Sequence, residues 1–269
     1  MKEVATRPQD TWASGEAYEL YVGRWSRLVA REFLRWLVVP AGSRWRDIGC
    51  GTGALTRTIL QEANPSKVKG TDRSPDFIEN ARRHVQDPRA EFEVGEAHTL
   101  PDDTASYDVA VSGLLLNFLP QPDRAVSEMR RIVRPGGIVA GYVWDYAGKM
   151  EMMRHFWDAA ASLDPGAREL DEGPRFPLCR PEPLARLFEE AGLKNVAVRA
   201  IEIPTVFRDF DDYWSPFLGG QGPAPSYAVS LEEAKLTALR EKIRAGLPIG
   251  ADGSIDLVAQ AWAVRGARR

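Results

Sequence analysis

Apolar and polar positions alternate in two registers along this chain, with period two in short runs and a helical period between them. The period-two runs, each ending in Gly or Asp, lie at residues 43–49, 67–72, 90–95, 106–113 and 137–145. Helix-period stretches at 54–62, 75–85 and 123–133 fall among them, giving the order β-α-β-α-β-β-α-β. Strands separated by helices predict a doubly wound, largely parallel sheet. Ser74 before Pro75 reads as an N-cap and first-turn proline, and Pro122-Asp123 opens another helix. Gly136-Gly137, after Arg134-Pro135, are expected to stop that helix in a tight turn ahead of the fifth strand.

The order then changes. Residues 181–191 form a helix with Gly192 just past its end, and the β-branched, apolar runs 196–207 and 254–265 complete a seven-stranded sheet. Three stretches lie outside the alternation: 1–40, mostly helical, 146–180, and 208–253 with Gly219-Gly220, Pro223 and Pro225. They predict a single domain, 1–269, with an N-terminal helical lid and two cap insertions over one edge of the sheet. These stretches are aromatic, holding among others Tyr18, Tyr21, Trp25, Tyr146, Phe156, Trp157, Tyr213, Trp214, Phe217 and Tyr227. Most of these side chains are needed for the caps' own cores, and a few are expected to reach a pocket and make it mainly apolar.

Composition narrows the class. Of 269 residues, 44% are hydrophobic and 27% charged, which excludes disorder, collagen and coiled coil. Lys+Arg 35 against Asp+Glu 38 leave no whole-protein field to attract nucleic acid or an anionic membrane. The N-terminal stretch lacks the apolar core of a signal peptide, and no run approaches the roughly 20 apolar residues of a membrane span. The expectation is a soluble, cytoplasmic protein whose Cys50 and Cys179 are free thiols.

The sharpest motif is Asp47-Ile48-Gly49-Cys50-Gly51-Thr52-Gly53, where a strand turns into a helix. Glycines at this spacing let a ligand approach the backbone while a helix N-terminus points at it. Gly49, Gly51 and Ala54 also satisfy the dinucleotide pattern, so the turn alone does not separate two cofactor classes. Asp72 ends the second strand, where such a sheet places an acid for ribose hydroxyls. Glu96, in Val94-Gly95-Glu96-Ala97, follows the third strand, where an acceptor meets an adenine amino group, and Asp108 begins the fourth.

Together these residues resemble the class I S-adenosylmethionine-dependent methyltransferases, in particular the branch with small-molecule and quinone methyltransferases. The resemblance covers 43–145, through D-I-G-C-G-T-G, Gly70-Thr71-Asp72, Gly95-Glu96-Ala97, Tyr107-Asp108-Val109 and Arg134-Pro135-Gly136-Gly137. It implies a Rossmann-like sheet of order 3-2-1-4-5-7-6 with the last strand antiparallel, and S-adenosylmethionine held by Asp47, Gly49, Cys50, Gly51, Asp72, Arg73, Glu96, Ala97 and Ser112. Tyr21-Val22-Gly23-Arg24-Trp25-Ser26-Arg27 is similar to the leading segment of glycine N-methyltransferase-type enzymes. By that similarity Arg27 holds the cofactor's carboxylate, for which a guanidinium fork is suited, and Tyr21 lines the methyl-transfer site as cofactor contact and candidate base.

Two positions depart from the family pattern. Arg46 stands where an aliphatic residue fills the central strand, so it needs a carboxylate partner or an exposed strand. Asn117 stands where many relatives carry His, removing one base. His84, His98 and His155 are scattered, and no set has metal-ligand spacing. Asp209, Asp211 and Asp212 suit either a cationic substrate or a solvated helix start. The reading is methyl transfer from S-adenosylmethionine to a small, apolar or aromatic acceptor, with no metal, nucleic-acid or membrane partner; O, N and C methylation stay open. An NAD(P)-dependent oxidoreductase leaves Asp47 and Glu96 unexplained. A nucleic-acid methyltransferase lacks its base-stacking Pro-Pro segment where Ser112-Gly113-Leu114-Leu115 stands.

Overall fold

The computed structural model describes residues 19–220 and 222–269. Seven strands form one sheet in the order β3-β2-β1-β4-β5-β7-β6. They are β1 Arg44–Ile48, β2 Lys67–Asp72, β3 Ala90–Val94, β4 Tyr107–Gly113, β5 Val133–Trp144, β6 Lys194–Phe207 and β7 Ile255–Ala267. Strands β1 to β5 run parallel to one another, and β7 is antiparallel to both β5 and β6. The order and the reversed last strand are those implied by the resemblance.

Helices cover the sheet: α1 Arg24–Leu37, α2 Ala54–Glu62, α3 Pro75–His84, α4 Pro122–Ile132 and, beyond β5, α5 Glu151–Leu163, α6 Glu172–Arg175 and α7 Pro181–Glu190. After β6 come α8 Phe210–Trp214, α9 Pro223–Ser230 and α10 Glu233–Gly246. Ser74 caps α3 as its sequence indicated, accepting from Phe77 N at 3.3 Å, with Pro75 in the first turn. Among the described residues no helix is long and apolar enough to cross a membrane.

The Pro-Gly-Gly turn differs from its expected place. The strand begins at Val133, directly after α4, because Val133 already pairs with Tyr107; pairing then resumes at Val109 and Ile138. Arg134–Gly137 therefore bulge out within β5, rather than forming a turn ahead of it. Gly136 takes φ +78° there, and a Cβ on Gly137 would press on the Asp108 carbonyl oxygen at 2.5 Å.

Residues 1–18, including Tyr18, lie outside the described residues. The rest of the N-terminal stretch is a π-helical turn, Glu19–Gly23, running into α1. Helix α1 buries Trp25, Val29, Phe33 and Leu37 and packs on α2 and β6. Arg265 of β7 donates to Trp36 O at 2.9 Å and holds its C-terminal end. The extra stretches share a core: Phe156 of α5 stacks on Phe217 at 4.5 Å, Tyr21 meets Phe217 edge-on at 5.6 Å, and the Tyr213 hydroxyl donates to Met152 O at 2.7 Å.

Arg46 is fully buried in β1 and paired. Its Nε donates to Asp102 Oδ2 at 2.8 Å, Nη1 to Lys69 O at 3.1 Å, and Nη2 to Glu93 Oε1. Lys69 Nζ lies 2.9 Å from Glu93 and 3.2 Å from Asp102, and the Tyr107 hydroxyl donates to Asp102 at 2.7 Å. Two carboxylates thus face two cations across β1, β2 and β3.

Candidate active site

A cavity of about 380 Å³ opens along the C-terminal ends of the parallel strands, where an α/β sheet of this order binds its ligands. The glycine turn forms its floor. Gly49 N and Cys50 N both donate to Thr71 O, at 2.7 and 3.0 Å, which ties the turn to β2. Gly49 has φ +71°, and a Cβ there would collide with the Leu115 side chain. At Gly49 only glycine fits this floor.

Three acids reach the cavity by different routes. Asp47, on β1 and fully buried, accepts from Thr56 Oγ1 at 2.7 Å, while its Oδ1 has no protein partner. Burial pushes its carboxyl up to about 7, against the pull of Thr56 and Arg46. Asp72 accepts from Gly51 N at 3.0 Å and Ser74 N at 2.9 Å; burial raises its carboxyl although those bonds pull it down. Glu96, just beyond β3, is exposed at the rim beside His98, 4.0 Å away.

The structure brings Asp47, Gly49, Cys50, Gly51, Asp72, Arg73, Glu96 and Ala97 together in the cavity wall. Tyr21, Arg27 and Ser112 are not part of that wall. Val22 and Ser26 supply it from the N-terminal side instead. Tyr21 is buried among the cap aromatics with its hydroxyl unpartnered, and burial, then Glu172 and Tyr213, push that hydroxyl well up, which disfavours it as a base. Arg27 is half-buried on α1. Ser112 is fully buried near the end of β4 with an unpartnered Oγ.

The other half of the cavity is apolar. Leu114, Leu115, Phe118, Leu119, Tyr142, Trp144 and Tyr146 form it, from the ends of β4 and β5 and the segments that follow them. Leu114 adopts φ +58°, unfavourable for a leucine, and is held by a bond from its N to Tyr142 O at 2.8 Å. No motif marks this half; the available signal was that Tyr142, Trp144 and Gly113 stand at strand ends.

The remaining chemically interesting residues have structural places. Burial raises the Cys50 and Cys179 thiols, so neither is poised as a nucleophile. Asp209 caps α8 through Asp212 N at 2.8 Å, Asp212 pairs with Arg24 at 2.9 Å, and Asp211 with Arg240 at 3.0 Å. His84 is exposed on α3 and His155 is half-buried on α5. Among the described residues no cluster could hold a metal ion.

A seven-stranded sheet of this order, with a glycine floor and acids at the ends of β1, β2 and β3, defines an α/β enzyme that binds a nucleoside-bearing cofactor. The family described as a methyltransferase domain matches residues 46–137. A demethylmenaquinone methyltransferase of Bacillus velezensis is 30% identical over 186 residues, 59% of this chain and 74% of that one. An uncharacterized 37.1 kDa protein in transposon Tn4556 of Streptomyces fradiae is 40% identical over 93 residues, spanning 34% of this chain and only 27% of the relative. A solved structure from Bacillus halodurans, described as a putative methyltransferase, aligns with a TM-score of 0.59 at 12% identity, covering 89% of this chain and 98% of its own. The chain belongs to the class I S-adenosylmethionine-dependent methyltransferases.

The donor set fits that cofactor. A buried carboxylate oxygen without a partner, a floor that admits no side chain at Gly49 and a second acid at the end of β2 suit a cationic amino acid joined to a nucleoside.

Proposed function

We propose that the enzyme methylates a small, flat, largely apolar or aromatic acceptor bound in the half of the cavity beyond Leu115. The observation that carries this is the division of one cavity into a charged half at β1 to β3 and an aromatic half at β4 and β5. The similarity to a demethylmenaquinone methyltransferase supports it. In this reading Asp72 accepts from the ribose hydroxyls, Glu96 and Ala97 hold the adenine, with Arg73 beside it, and Asp47 faces the cofactor's ammonium group. Arg27, one residue past Ser26, would reach the cofactor's carboxylate by turning its long side chain, and Tyr21 and Ser112 back the wall rather than form it.

Bound S-adenosylmethionine supplies an electrophilic methyl group on a sulfonium. The protein's task would be to hold the acceptor oriented toward that group. Phe118, Tyr142 and Trp144 orient the acceptor and exclude bulk water. The segment Glu19–Gly23, tied to Phe217 through Tyr21, and the cap insertions close over it as a lid.

Calorimetry tests the reading. S-adenosylmethionine and S-adenosylhomocysteine should bind at micromolar levels, about −8 kcal/mol, with no heat from NAD or NADP. Nicotinamide binding of that strength would overturn it.

A further inference from the structure

The connection from β3 to β4, residues 95–106, carries Gly95, Glu96, Ala97 and His98 into the cavity wall. In the sheet order it must pass over β2 and β1, and no helix lies in it, whereas β1 to β2, β2 to β3 and β4 to β5 are each joined through one. Its hold comes from the strands it crosses. Arg46 of β1 and Lys69 of β2 stand directly opposite in register, two like charges that repel unless acids meet them. Acids from the two ends of the loop do so. Arg46 Nη2 donates to Glu93 and its Nε to Asp102 at 2.8 Å, and Lys69 Nζ lies 2.9 and 3.2 Å from the same two carboxylates. Helix α4 grips only the far end: Arg131 donates to Asp102 O at 2.7 Å and Leu100 O at 3.0 Å, and Leu100 N donates to Glu128 at 3.0 Å. The wall residues thus sit in a loop closed at its base by one buried guanidinium.

We propose that Arg46 is a positioning residue for the cofactor: its fork clasps Glu93 to Asp102 and so holds Glu96 and Ala97 at the cavity rim to receive the adenine. This rests on the reading that Glu96 and Ala97 take the adenine. Arg46 is not in the cavity wall, so it acts through the loop and touches neither cofactor nor acceptor. Its substitution therefore alters recognition of the base. Lysine keeps the charge but not the fork, and cannot meet Glu93, Asp102 and the Lys69 carbonyl together as Arg46 does.

The experiment compares the full chain with Arg46→Lys, using S-adenosylhomocysteine and S-inosylhomocysteine, which differ at the amino group of the base. Wild type should bind the adenine compound about tenfold more tightly, a factor worth about 1.4 kcal/mol, and Arg46→Lys should shrink that ratio to about twofold or less. A ratio of two affinities does not depend on the folded fraction, so a general loss of stability leaves it unmoved. Hydrogen exchange without ligand gives a second readout. The amides of Thr99 and Leu100, bonded to Glu96 O and Glu128, should exchange faster in Arg46→Lys, while Gly49 and Cys50, bonded to Thr71 O, keep their wild-type rates. Asp102→Asn, which loosens one end of the clasp, should move both readouts in the same direction by a smaller factor, and it carries the test if Arg46→Lys fails to fold. A wild-type ratio retained in the variants, or an acceleration shared by Gly49 and Cys50, overturns the proposal. A wild type that does not distinguish the two compounds overturns the adenine reading beneath it, and the exchange of Thr99 and Leu100 separates that failure from a failure of the clasp.

Discussion

Replacing Arg46 by Leu restores the aliphatic residue of the family pattern, yet it should destabilise this protein. The guanidinium is fully buried and makes three hydrogen bonds, to Glu93, Asp102 and the Lys69 carbonyl. Breaking a buried pair by removing one partner costs roughly 3 to 5 kcal/mol. Here the stranded carboxylates keep other partners: Asp102 retains Tyr107 at 2.7 Å and Lys69 at 3.2 Å, and Glu93 retains Lys69 at 2.9 Å and Thr71 at 3.1 Å. Leucine also adds apolar packing, so the net loss should be about 2 to 3 kcal/mol near neutral pH. The pH dependence supplies a second check. Burial pushes the Glu93 and Asp102 carboxyls up, but bonds from Lys69 and Tyr107 and the charge of Arg46 outweigh it and hold both below their ordinary values. A depressed carboxyl contributes stability above its unfolded value and loses it as pH falls through the folded one. The gap between wild type and Arg46→Leu should therefore narrow on acidification through that window. Urea melts of both proteins across the acid range measure it. A variant as stable as wild type, or a gap indifferent to acid, would refute the paired-network account.

Four further outcomes are expected. Asp72→Ala should weaken S-adenosylmethionine binding by about 1.5 to 3 kcal/mol in calorimetry, since a bond to a charged group is lost; unchanged affinity removes Asp72 from the cofactor site. Asp47 has its carboxyl near 7, so it is about half protonated at neutral pH. An arriving ammonium favours the carboxylate, so affinity should rise with pH through about 7 with proton release, and buffer-dependent heats that persist in Asp47→Asn would contradict this. Glu172 is buried, accepts from Trp157 Nε1, and is pushed by burial to about 7, so its ionisation removes stability as pH rises from the ordinary carboxylate range to that value. Glu172→Gln should gain roughly 1 to 3 kcal/mol in melts above neutrality and nothing in acid; a loss above neutrality would show that the carboxylate is needed. Hydrogen exchange at residues 19–23 and 208–219 should slow when cofactor binds and slow further with an acceptor, and protection confined to Gly49–Gly53 would remove the lid.

The charged half of the site was legible in the sequence because each of its parts is local. A glycine floor needs its glycines within one turn, and an acid at a strand end follows from the strand's last residue, so Asp47, Asp72 and Glu96 could be placed before any tertiary contact was known. The sheet order was legible through the family resemblance rather than through periodicity. The bulge in β5 was hidden because Arg134-Pro135-Gly136-Gly137 reads as a turn, and only the pairing of Val133 with Tyr107 shows that the strand has already begun. The Arg46 network was hidden for a related reason. Its partners come from β3 and from the loop before β4, and no spacing along the chain links residue 46 to 93 and 102.

The apolar half marks where sequence reasoning stops. A few aromatics of the extra stretches were expected to reach the pocket, yet Phe156, Tyr213 and Phe217 are spent on one another, and among the described residues Tyr146 alone of that aromatic set reaches the wall. The other rings come from the sheet and its edges: Tyr142 and Trp144, two apart on β5 and so on one face, Phe118 after β4, and Phe77 on α3. Alternation says that Tyr142 and Trp144 share a side, but not that the strand outruns its covering helices just there. That depends on where β4 stops and on the turn at Leu114, whose left-handed backbone steers the following residues toward Gly49. In the proposed reading, cofactor contacts come from short local segments, whereas the acceptor half is shaped by where several strands end. Substitutions at Phe118 or Trp144 should accordingly change which acceptor is methylated while leaving cofactor affinity nearly constant, and a matching loss of cofactor binding would mean that the two halves are one site.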